Sequence, residues 1–494
     1  MLAGCLNDEE PVDDDPDDDD DDPDVEPDTV EPRFEIPYMV EADGTPVYDG
    51  SIDFHSYTSV KHGLYMSGAL ARGSEFGHEN YNPELTGDYM RERGETWNDM
   101  IEDILDTFWE DGEIATELEE TEDGWVRSDE VSLADYMHGV YAYQTHHRGG
   151  RWEGEGHQEV ADGITFGSGH YISRYGEYLF DEHYSDGRFY HDTDHEEFDT
   201  ESMAYGLSGT PGLAYAWTRW SSPAGEGDMA NVDEGVMEAF LGYTPEELVE
   251  IYRDVGQELE EAWDDEVGAY DFGDGTEYAI NTLGPLLHGN KAAYETLAIF
   301  GEDEDTELAE SLAENTATML EPIVTGDVAE PWGLPTHVEY TEDGVEAAAD
   351  EVDIGLHWVF IKHITGGWSL TRESEDENSP QFLTENEPEL MEALNEFKDE
   401  QILGALDHHL DDEGIAVTAV DYETGDITDD SYTADALGMF LTGIGSIYRS
   451  HEAVARARDW DEIEDEELLE QSEEFHDIYV ENSEFLMDNF VVQA

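Results

Sequence analysis

A short turn phrase recurs along the chain and separates one helix-like segment from the next. In each copy a helix closes with acidic residues, the chain turns at a glycine, and an apolar or aromatic pair follows. Four copies are ELEETEDGWV, DEHYSDGRFY, EAWDDEVGAY and HHLDDEGIAV, which turn at Gly124, Gly187, Gly268 and Gly414. The longest gap between them contains THVEYTEDGVEAAADEV, a further candidate at Gly344. A repeat of this kind predicts stacked helical hairpins with short β-hairpins in the turns.

Apolar residues between these turns recur at helical spacing from about residue 95 onward. In TWNDMIEDILDTFWEDG, positions three and four apart form one apolar stripe. The stripe consists of Trp97, Ile101, Ile104, Leu105 and Phe108. TPEEL is typical of a helix start, with Thr244 as N-cap and Glu247 closing a capping box. Strand patterns are few and short, so we predict a mainly α fold.

The segment EEAWDDEVGAYDFGDGTEYAINTLGPLLHGNKAAYETLAIF resembles one hairpin of the six-hairpin glycosidase and sugar-epimerase toroids. In that family an acidic glycine turn and a short β-hairpin precede each inner helix, and the substrate lies in a cup at the barrel mouth. The resemblance is spread over roughly positions 95 to 490. It implies an (α/α) toroid of about five to six helical hairpins and a carbohydrate-active function.

If the hairpins close into a toroid, the inner helices begin in register and each start carries a carboxylate. These candidate catalytic residues are Asp135, Glu201, Glu277, Asp353 and Asp435, with Asp430 as an alternative to the last. Inverting glycoside cleavage needs two carboxyl groups about 6.5 to 9.5 Å apart, one acting as acid and one as base. A structural alternative stays open, because acids in the first turn also cap free N–H groups and complement the helix dipole.

Basic residues are more informative than acids here, because the chain has only four lysines, Lys61, Lys291, Lys362 and Lys398. In LHWVFIKHITGGW, Trp358 and Lys362 lie four positions apart and so share one side of a helix. If that side faces inward, the two side chains would flank a bound sugar. Lys291 follows His288 by three positions and supports the same hypothesis. The alternative for both lysines is a structural ion pair with one of the many carboxylates.

The glycine-rich segment HHRGGRWEGEGHQEVADGITFGSGHY is typical of a long loop over a site. Its Arg151 and Trp152, with Arg148, would present a guanidinium and an aromatic face to an acidic or neutral sugar. Arg219 and Trp220 form a second such candidate. The alternative is that these cations serve as internal counter-ions.

Crowded histidines in this loop and in DEHYSDGRFYHDTDHEEFD could in principle hold zinc or iron. None of them matches a metal signature such as H-E-x-x-H, and we predict no metal and no cofactor. The chain also has no G-x-x-x-x-G-K-[ST] loop and no G-x-S-x-G elbow. These absences argue against an NTPase or a serine hydrolase.

The formal net charge is −109, from 128 acidic and 19 basic residues. Only 16 of the acids lie in the first 32 positions, so the acidity belongs to the whole folded body. A charge of this size destabilises a compact state by self-repulsion unless salt screens it. The composition therefore resembles that of haloarchaeal proteins, and it argues against nucleic acid or an anionic membrane as a partner.

The only cysteine, Cys5, ends the sequence LAGC, which resembles the lipobox of secreted lipoproteins. In that family the cysteine carries a lipid and the following residues tether the folded domain. The resemblance implies a lipid anchor at Cys5 and an extracellular, cell-surface location. The alternative is an exposed cysteine that happens to follow glycine. No run of about 18 apolar residues occurs, so membrane contact would be through the lipid alone.

We therefore predict an acidic linker over residues 1–32 and one toroid domain over 33–494, with an extended N-terminal strap over 33–94. The favoured function is a glycoside hydrolase-like surface lipoprotein acting on a glycan or a small molecule. The alternative is a non-catalytic surface protein that binds a glycan or partner in the same cup. An enzyme requires facing carboxyl groups in a deep pocket, at least one with a raised pKa, whereas a binding protein needs only an aromatic floor.

Overall fold

A computed structural model describes residues 29–75, 88–110, 113–128, 131–135, 137–138, 158–161, 164–166, 175–208, 243–326, 328–365, 387–455 and 466–493. Its helices are α1 (Phe54–Glu75), α2 (Asp88–Thr107), α3 (Tyr175–Glu182), α4 (Thr200–Ser208), α5 (Pro245–Ala262), α6 (Ile280–Phe300), α7 (Asp303–Thr325), α8 (Ile354–Thr365), α9 (Pro388–His409), α10 (Ala434–Ala455) and α11 (Glu466–Asn489). Residues 133–135 and 137–138 are also helical and are called the Leu133 segment.

The strands are short and lie in the connections between helices. They are β1 (Thr29–Val30), β2 (Phe34–Glu35), β3 (Met39–Val40), β4 (Pro46–Val47), β5 (Ser51–Asp53), β6 (Trp109–Glu110), β7 (Glu113–Ile114), β8 (Glu117–Thr121), β9 (Gly124–Arg127), β10 (Gln158–Ala161), β11 (Ile164–Phe166), β12 (Tyr184–Ser185), β13 (Arg188–Phe189), β14 (Trp263–Asp264), β15 (Ala269–Tyr270), β16 (Glu277–Ala279), β17 (His337–Thr341), β18 (Gly344–Ala347), β19 (Glu351–Asp353), β20 (Ala419–Asp421), β21 (Ile427–Asp429), β22 (Tyr432–Thr433) and β23 (Val492–Gln493).

The inner helices are arranged one after another around a central axis. Helix α4 packs on α6, α6 on α8, α8 on α10, and α10 on α1. The Leu133 segment closes the circle, because the Leu133 N–H donates to the carbonyl of His191 just before α4 (3.3 Å), while Asp135 lies 3.6 Å from His55 in α1. Among the described residues, six helical segments therefore form the inner layer: α1, the Leu133 segment, α4, α6, α8 and α10.

The outer layer covers these inner helices and completes the hairpins. Helix α2 packs on α1, α5 and α7 pack on α6, α9 packs on α8, and α11 packs on α10 and α1. Buried apolar side chains of both layers form one core cluster. The mainly α toroid of helical hairpins with short β-hairpins in the turns, as predicted from the sequence, is confirmed.

The glycines of the turn phrase adopt the backbone conformation that the phrase requires. Gly124, Gly187, Gly268, Gly344 and Gly414 have φ angles of 134°, 87°, 76°, 127° and 83°. These angles lie in the region that residues with a Cβ rarely adopt. The predicted N-cap is also present, because Thr244 accepts from the Glu247 N–H and the Glu247 carboxylate accepts from the Thr244 N–H.

The predicted extended strap over 33–94 differs from the structure beyond Asp53. Strands β2 and β3 do tie the start of the chain to β23 and β22 near its end. Residues 54–75, however, form α1, which is an inner helix. The sequence does not predict this helix, because its buried face includes the polar residues Lys61 and His62. These residues interrupt the apolar stripe expected of an amphipathic helix.

Close contact between α1 and α10 depends on a glycine. A Cβ added at Gly438 would lie 2.2 Å from the backbone oxygen of Ser59. We expect Gly438→Ala to destabilise the fold by about 3 kcal/mol, because neither backbone can move without shifting a whole helix. Thermal unfolding at fixed salt measures this. Gly63→Ala is the control at the same interface, since its Cβ would lie 3.2 Å from the Leu441 side chain and 3.3 Å from Cα of Gly438, distances that a shift of a few tenths of an ångström relieves. An equal effect of both substitutions would contradict the prediction.

Candidate functional site

One end of the toroid gathers polar residues from the starts of the inner helices. Strands β5, β16, β19 and β22 end immediately before α1, α6, α8 and α10, so these helices begin in register. Their starts, with those of α4 and the Leu133 segment, bring six side chains to one end. We call them the mouth cluster: His55, Asp135, Glu201, Asn281, Asp353 and Asp435.

His55 is the centre of this cluster and carries a positive charge. Its Nδ1 lies 3.6 Å from Asp135 and its Nε2 lies 4.0 Å from Asp435. Burial lowers the pKa of His55, but Asp435, Asp135 and Asp53 outweigh that effect and raise the pKa to about 9. The three side chains of this bridge are 31%, 21% and 42% exposed, so the cluster remains accessible to solvent.

A neutral histidine stacks on this charged one. The rings of His138 and His55 are 3.7 Å apart and nearly parallel. The Thr58 hydroxyl donates to the carbonyls of Phe54 and His55, so it accepts the hydrogen bond from Nδ1 of His138 (2.5 Å). Nε2 of His138 then carries the lone pair, and it has no hydrogen-bond partner among the described residues. Burial and the charge of His55 lower the pKa of His138.

Asp353, the last residue of β19 before α8, and Asp435, in the first turn of α10, form a carboxyl pair at the starts of two neighbouring inner helices. Burial and the charge of Asp435 raise the pKa of Asp353 to about 6, although the Leu356 N–H donates to its Oδ1 (2.9 Å). The helix starts touch because Gly355 has no side chain, and a Cβ there would lie 3.1 Å from Cα of Ala436. Burial first, and the charge of Asp435 in addition, therefore hold the proton on Asp353 more tightly.

A second histidine and carboxylate group lies beside the first. Nε2 of His191 is 2.9 Å from Asp199 and 3.8 Å from Glu201. Burial lowers the pKa of His191, but its hydrogen bond to Asp199 and the nearby charges raise it overall. Burial raises the pKa of Glu201, as do the charges of Asp199 and Asp135. Two histidines with raised pKa values, His55 and His191, therefore lie among the carboxyl groups of the mouth.

Four of the predicted catalytic residues, Asp135, Glu201, Asp353 and Asp435, lie together in the mouth cluster. Glu277 does not join them. It is exposed at the start of β16, opposite Glu339, because this strand runs on to Ala279 and delays the start of α6. Asn281 takes the register position instead, and its amide donates to the Tyr205 hydroxyl (3.4 Å).

Trp358 lies in the core and presents no face to a ligand. Its side chain is fully buried, its N–H donates to Nδ1 of His409 (3.2 Å), and its ring packs against Phe440. Lys362 and His288 are buried deeper in the toroid. Lys291 is also buried and lies 3.7 Å from Glu295, which is the ion pair that the structural alternative predicted.

Sequence reasoning did not single out His55, His138 or Asn281. The one usable signal is the seven-residue spacing of His55 and His62, which places two histidines on the same face of a helix. Arg148, Arg151, Trp152, Arg219, Trp220 and Cys5 lie outside the described residues. Within the described residues no group of three or more His, Cys, Asp or Glu side chains is arranged to hold a metal ion.

The known proteins similar to this chain share its structure and little of its sequence. No protein-family model matches the sequence, and no curated protein matches it. The structure is similar to a sugar epimerase from a ruminal bacterium, with 9% identity, a TM-score of 0.49, and coverage of 84% of this chain and 93% of that one. A D-mannose isomerase has 10% identity, a TM-score of 0.48, and coverage of 84% and 91%.

The cellobiose 2-epimerase of Bacillus thermoamylovorans is also similar, with 11% identity, a TM-score of 0.46, and coverage of 84% of this chain and 93% of that one. The (α/α) toroid follows from the helix packing described above and does not depend on these similarities. Among the described residues, no helix has the length and apolar content needed to span a bilayer.

Proposed function

We propose that this chain is a carbohydrate-active enzyme of the glycoside hydrolase type, with its reaction centre in the mouth cluster. The observation that carries the proposal is the Asp353 and Asp435 pair. Burial and the nearby charge of Asp435 raise the pKa of Asp353 to about 6, so Asp353 keeps its proton to a higher pH than an ordinary carboxyl group. A carboxyl group that keeps its proton and a carboxylate on the neighbouring inner helix are the two groups that acid and base cleavage of a glycosidic bond requires.

Asp353 is the general acid in this scheme. Its Oδ1 accepts from the Leu356 N–H, so the transferable proton is on Oδ2, from which it passes to the glycosidic oxygen as the bond to the anomeric carbon breaks. Asp435 is the base. Its Oδ1 is buried and lies 4.0 Å from Nε2 of His55, and its Oδ2 accepts from the Ser56 hydroxyl (3.3 Å). The side chain is 42% exposed, and Oδ2 takes a proton from water as the water attacks the anomeric carbon.

His55 orients the base, Asp435, and does not itself exchange protons in hydrolysis. With a pKa of about 9 it stays charged at neutral pH and draws Asp435 and Asp135 toward the two edges of its ring. A fixed cation at this place holds the Asp435 carboxylate in one orientation by electrostatic attraction.

A second candidate function is favoured by the stack of His55 on His138. An imidazolium beside a neutral imidazole is a donor and acceptor pair for moving a proton at a carbon next to a sugar carbonyl. This reaction would isomerise or epimerise a free sugar instead of cleaving a glycosidic bond.

One experiment separates these functions. The protein is incubated in molar salt and D₂O with a panel of oligosaccharides and free sugars, and the products are followed by NMR. Release of reducing sugar supports the hydrolase. Deuterium at the carbon beside the carbonyl, without cleavage, supports the isomerase. Binding of a sugar with neither outcome would support the non-catalytic alternative and overturn both proposals.

We also propose that the chain is held at the cell surface by a lipid on Cys5. The lipobox-like LAGC and the acidic residues after it support this proposal. We expect the protein, when it is expressed in a host that attaches lipids to secreted proteins, to partition into the detergent phase of a phase-separation assay. The Cys5→Ser variant should partition into the aqueous phase. Cys5→Ser leaves the toroid unchanged, so its melting temperature is the control. Detergent partitioning that persists in Cys5→Ser would contradict the anchor.

A further inference from the structure

The inner helix α4 brings a tyrosine hydroxyl to the mouth. Tyr205 follows Glu201 by four positions, so the two side chains lie on one face of the helix, one turn apart. The Glu201 side chain is 46% exposed, and Tyr205 below it is 8% exposed. The Asn281 amide, at the start of the neighbouring helix α6, donates to the Tyr205 hydroxyl (3.4 Å). Because Asn281 belongs to the mouth cluster, this contact places the hydroxyl at the lower edge of the mouth.

The hydrogen bond between Asn281 and Tyr205 leaves the tyrosine with an unused donor. The Tyr205 oxygen accepts from the amide, and its own hydrogen has no acceptor among the described residues. Oδ1 of Asn281 is also buried, with no hydrogen-bond partner in the described part of the chain. Roughly 90% or more of buried polar groups in folded proteins are paired, so this contact is incomplete without a further group.

The Tyr205 hydroxyl keeps its hydrogen at neutral pH. Burial raises the pKa of Tyr205, and the charges of Glu201, Asp135 and Asp435 raise it further. A protonated hydroxyl whose oxygen already accepts from an amide is set up to donate. The group that completes the contact must therefore offer an oxygen acceptor, as a sugar hydroxyl does.

Other buried tyrosines near α6 have no donor left for a ligand. The Tyr340 hydroxyl donates to the carbonyl of Met319 (2.8 Å), and the Tyr278 hydroxyl donates to the carbonyl of Tyr270. Both side chains are at most 3% exposed. Their hydroxyls stabilise the fold, whereas the hydroxyl of Tyr205 is directed to the accessible end of the toroid.

Helices α4 and α10 lie on opposite sides of the inner layer. On one side α6 and α8 lie between them, and on the other side the Leu133 segment and α1 do. Tyr205 therefore approaches the mouth from the side opposite Asp435. A pyranose whose anomeric carbon faces the Asp353 and Asp435 pair has its far edge, with carbons 3 and 4, toward α4.

We propose that the Tyr205 hydroxyl donates a hydrogen bond to a sugar hydroxyl on the edge remote from the anomeric carbon. Asn281 is a positioning residue, because its amide occupies the Tyr205 oxygen and so directs the hydrogen toward the sugar. The inference rests on the proposed function and adds the sugar group that determines its specificity. A sugar without that hydroxyl leaves a buried donor unpaired, which makes its binding weaker.

Deoxy sugars test this assignment. Glucose, galactose, mannose and xylose are titrated against the full chain in molar salt, and the sugar that binds most tightly is the parent. Dissociation constants are then measured by NMR for its 2-deoxy, 3-deoxy and 4-deoxy analogues. We expect the 3-deoxy or the 4-deoxy analogue to bind about tenfold more weakly than the parent, the effect of about one hydrogen bond.

Two variants connect this difference to the tyrosine and its partner. Tyr205→Phe should weaken binding of the parent by about tenfold and leave the analogue unchanged, so the difference between the two sugars disappears. In Asn281→Asp the carboxylate accepts the Tyr205 hydrogen and turns it away from the sugar, so the difference should disappear although the tyrosine is present. Tyr340→Phe is the matched control, because it also removes a buried hydroxyl, and it should keep the difference.

The outcomes separate this inference from the proposed function. Equal binding of the parent and all three analogues by the wild type overturns the inference, even if the protein cleaves glycans. A difference that survives Tyr205→Phe also overturns it. A difference that survives Asn281→Asp but not Tyr205→Phe supports the donor and overturns the positioning role. A difference that depends on Tyr205, in a protein that cleaves no glycan, supports the inference and rejects the hydrolase.

Discussion

Transfer from molar salt to about 0.1 M salt is expected to unfold the toroid. At 0.1 M the Debye length is about 10 Å, so surface carboxylates repel their neighbours, whereas at 1 M it is about 3 Å and the repulsion is screened. With a net charge of −109, this repulsion acts against a net stability that is typically only about 5 to 15 kcal/mol. The described ion pairs are too few to offset it, although Arg253 with Asp305 and Arg188 with Glu258 each make close contacts.

Circular dichroism and tryptophan fluorescence measure this unfolding as KCl is diluted. The control replaces KCl with sucrose, an excluded osmolyte that favours burial without screening charge. If charge repulsion causes the unfolding, adding sucrose to the diluted protein restores much less helical signal than adding KCl back. A melting temperature that does not change between low and molar salt would contradict the prediction and the salt adaptation inferred from composition.

The overall fold could be predicted because its signals are local. Each turn glycine, such as Gly268, follows an acidic helix end and needs positive φ, and both properties are visible in a few residues. Helix α1 was not predicted because it buries Lys61 and His62, and sequence periodicity treats such residues as exposed. Inner helices of a toroid that bury polar residues are therefore difficult to predict from the hydrophobic pattern of the sequence.

The site could be predicted only in part, for the same reason. Carboxylates at helix starts, such as Asp353 and Asp435, follow from the register of the hairpins. Glu277 was misplaced because β16 runs on to Ala279, and single residues of strand cannot be placed from sequence. The stack of His55 on His138 joins positions 83 residues apart, a contact that no local pattern reports.

Replacing either member of the carboxyl pair should abolish most of the hydrolytic activity. We expect Asp353→Asn and Asp435→Asn each to lower kcat by about 10² to 10⁴, the usual loss when one acid or base is removed. Glu277→Gln is the matched control, because Glu277 is an exposed carboxylate that lies outside the mouth cluster. It should retain full activity. A similar loss in all three variants would point to a general charge effect and contradict the assigned roles.

The pH profile distinguishes an acid from a merely structural N-cap. Asp353 donates a proton only in its protonated form, so the wild-type rate should fall as the pH rises through about 6, the pKa that burial and the charge of Asp435 give it. In Asp435→Asn the neighbouring charge is absent and the pKa of Asp353 falls, so the descending limb of the residual activity moves to lower pH. A cap that only held α8 in place would lose stability in Asp353→Asn and leave this limb where it was. An unshifted limb in Asp435→Asn would therefore show that the two carboxyl groups do not share a reaction centre.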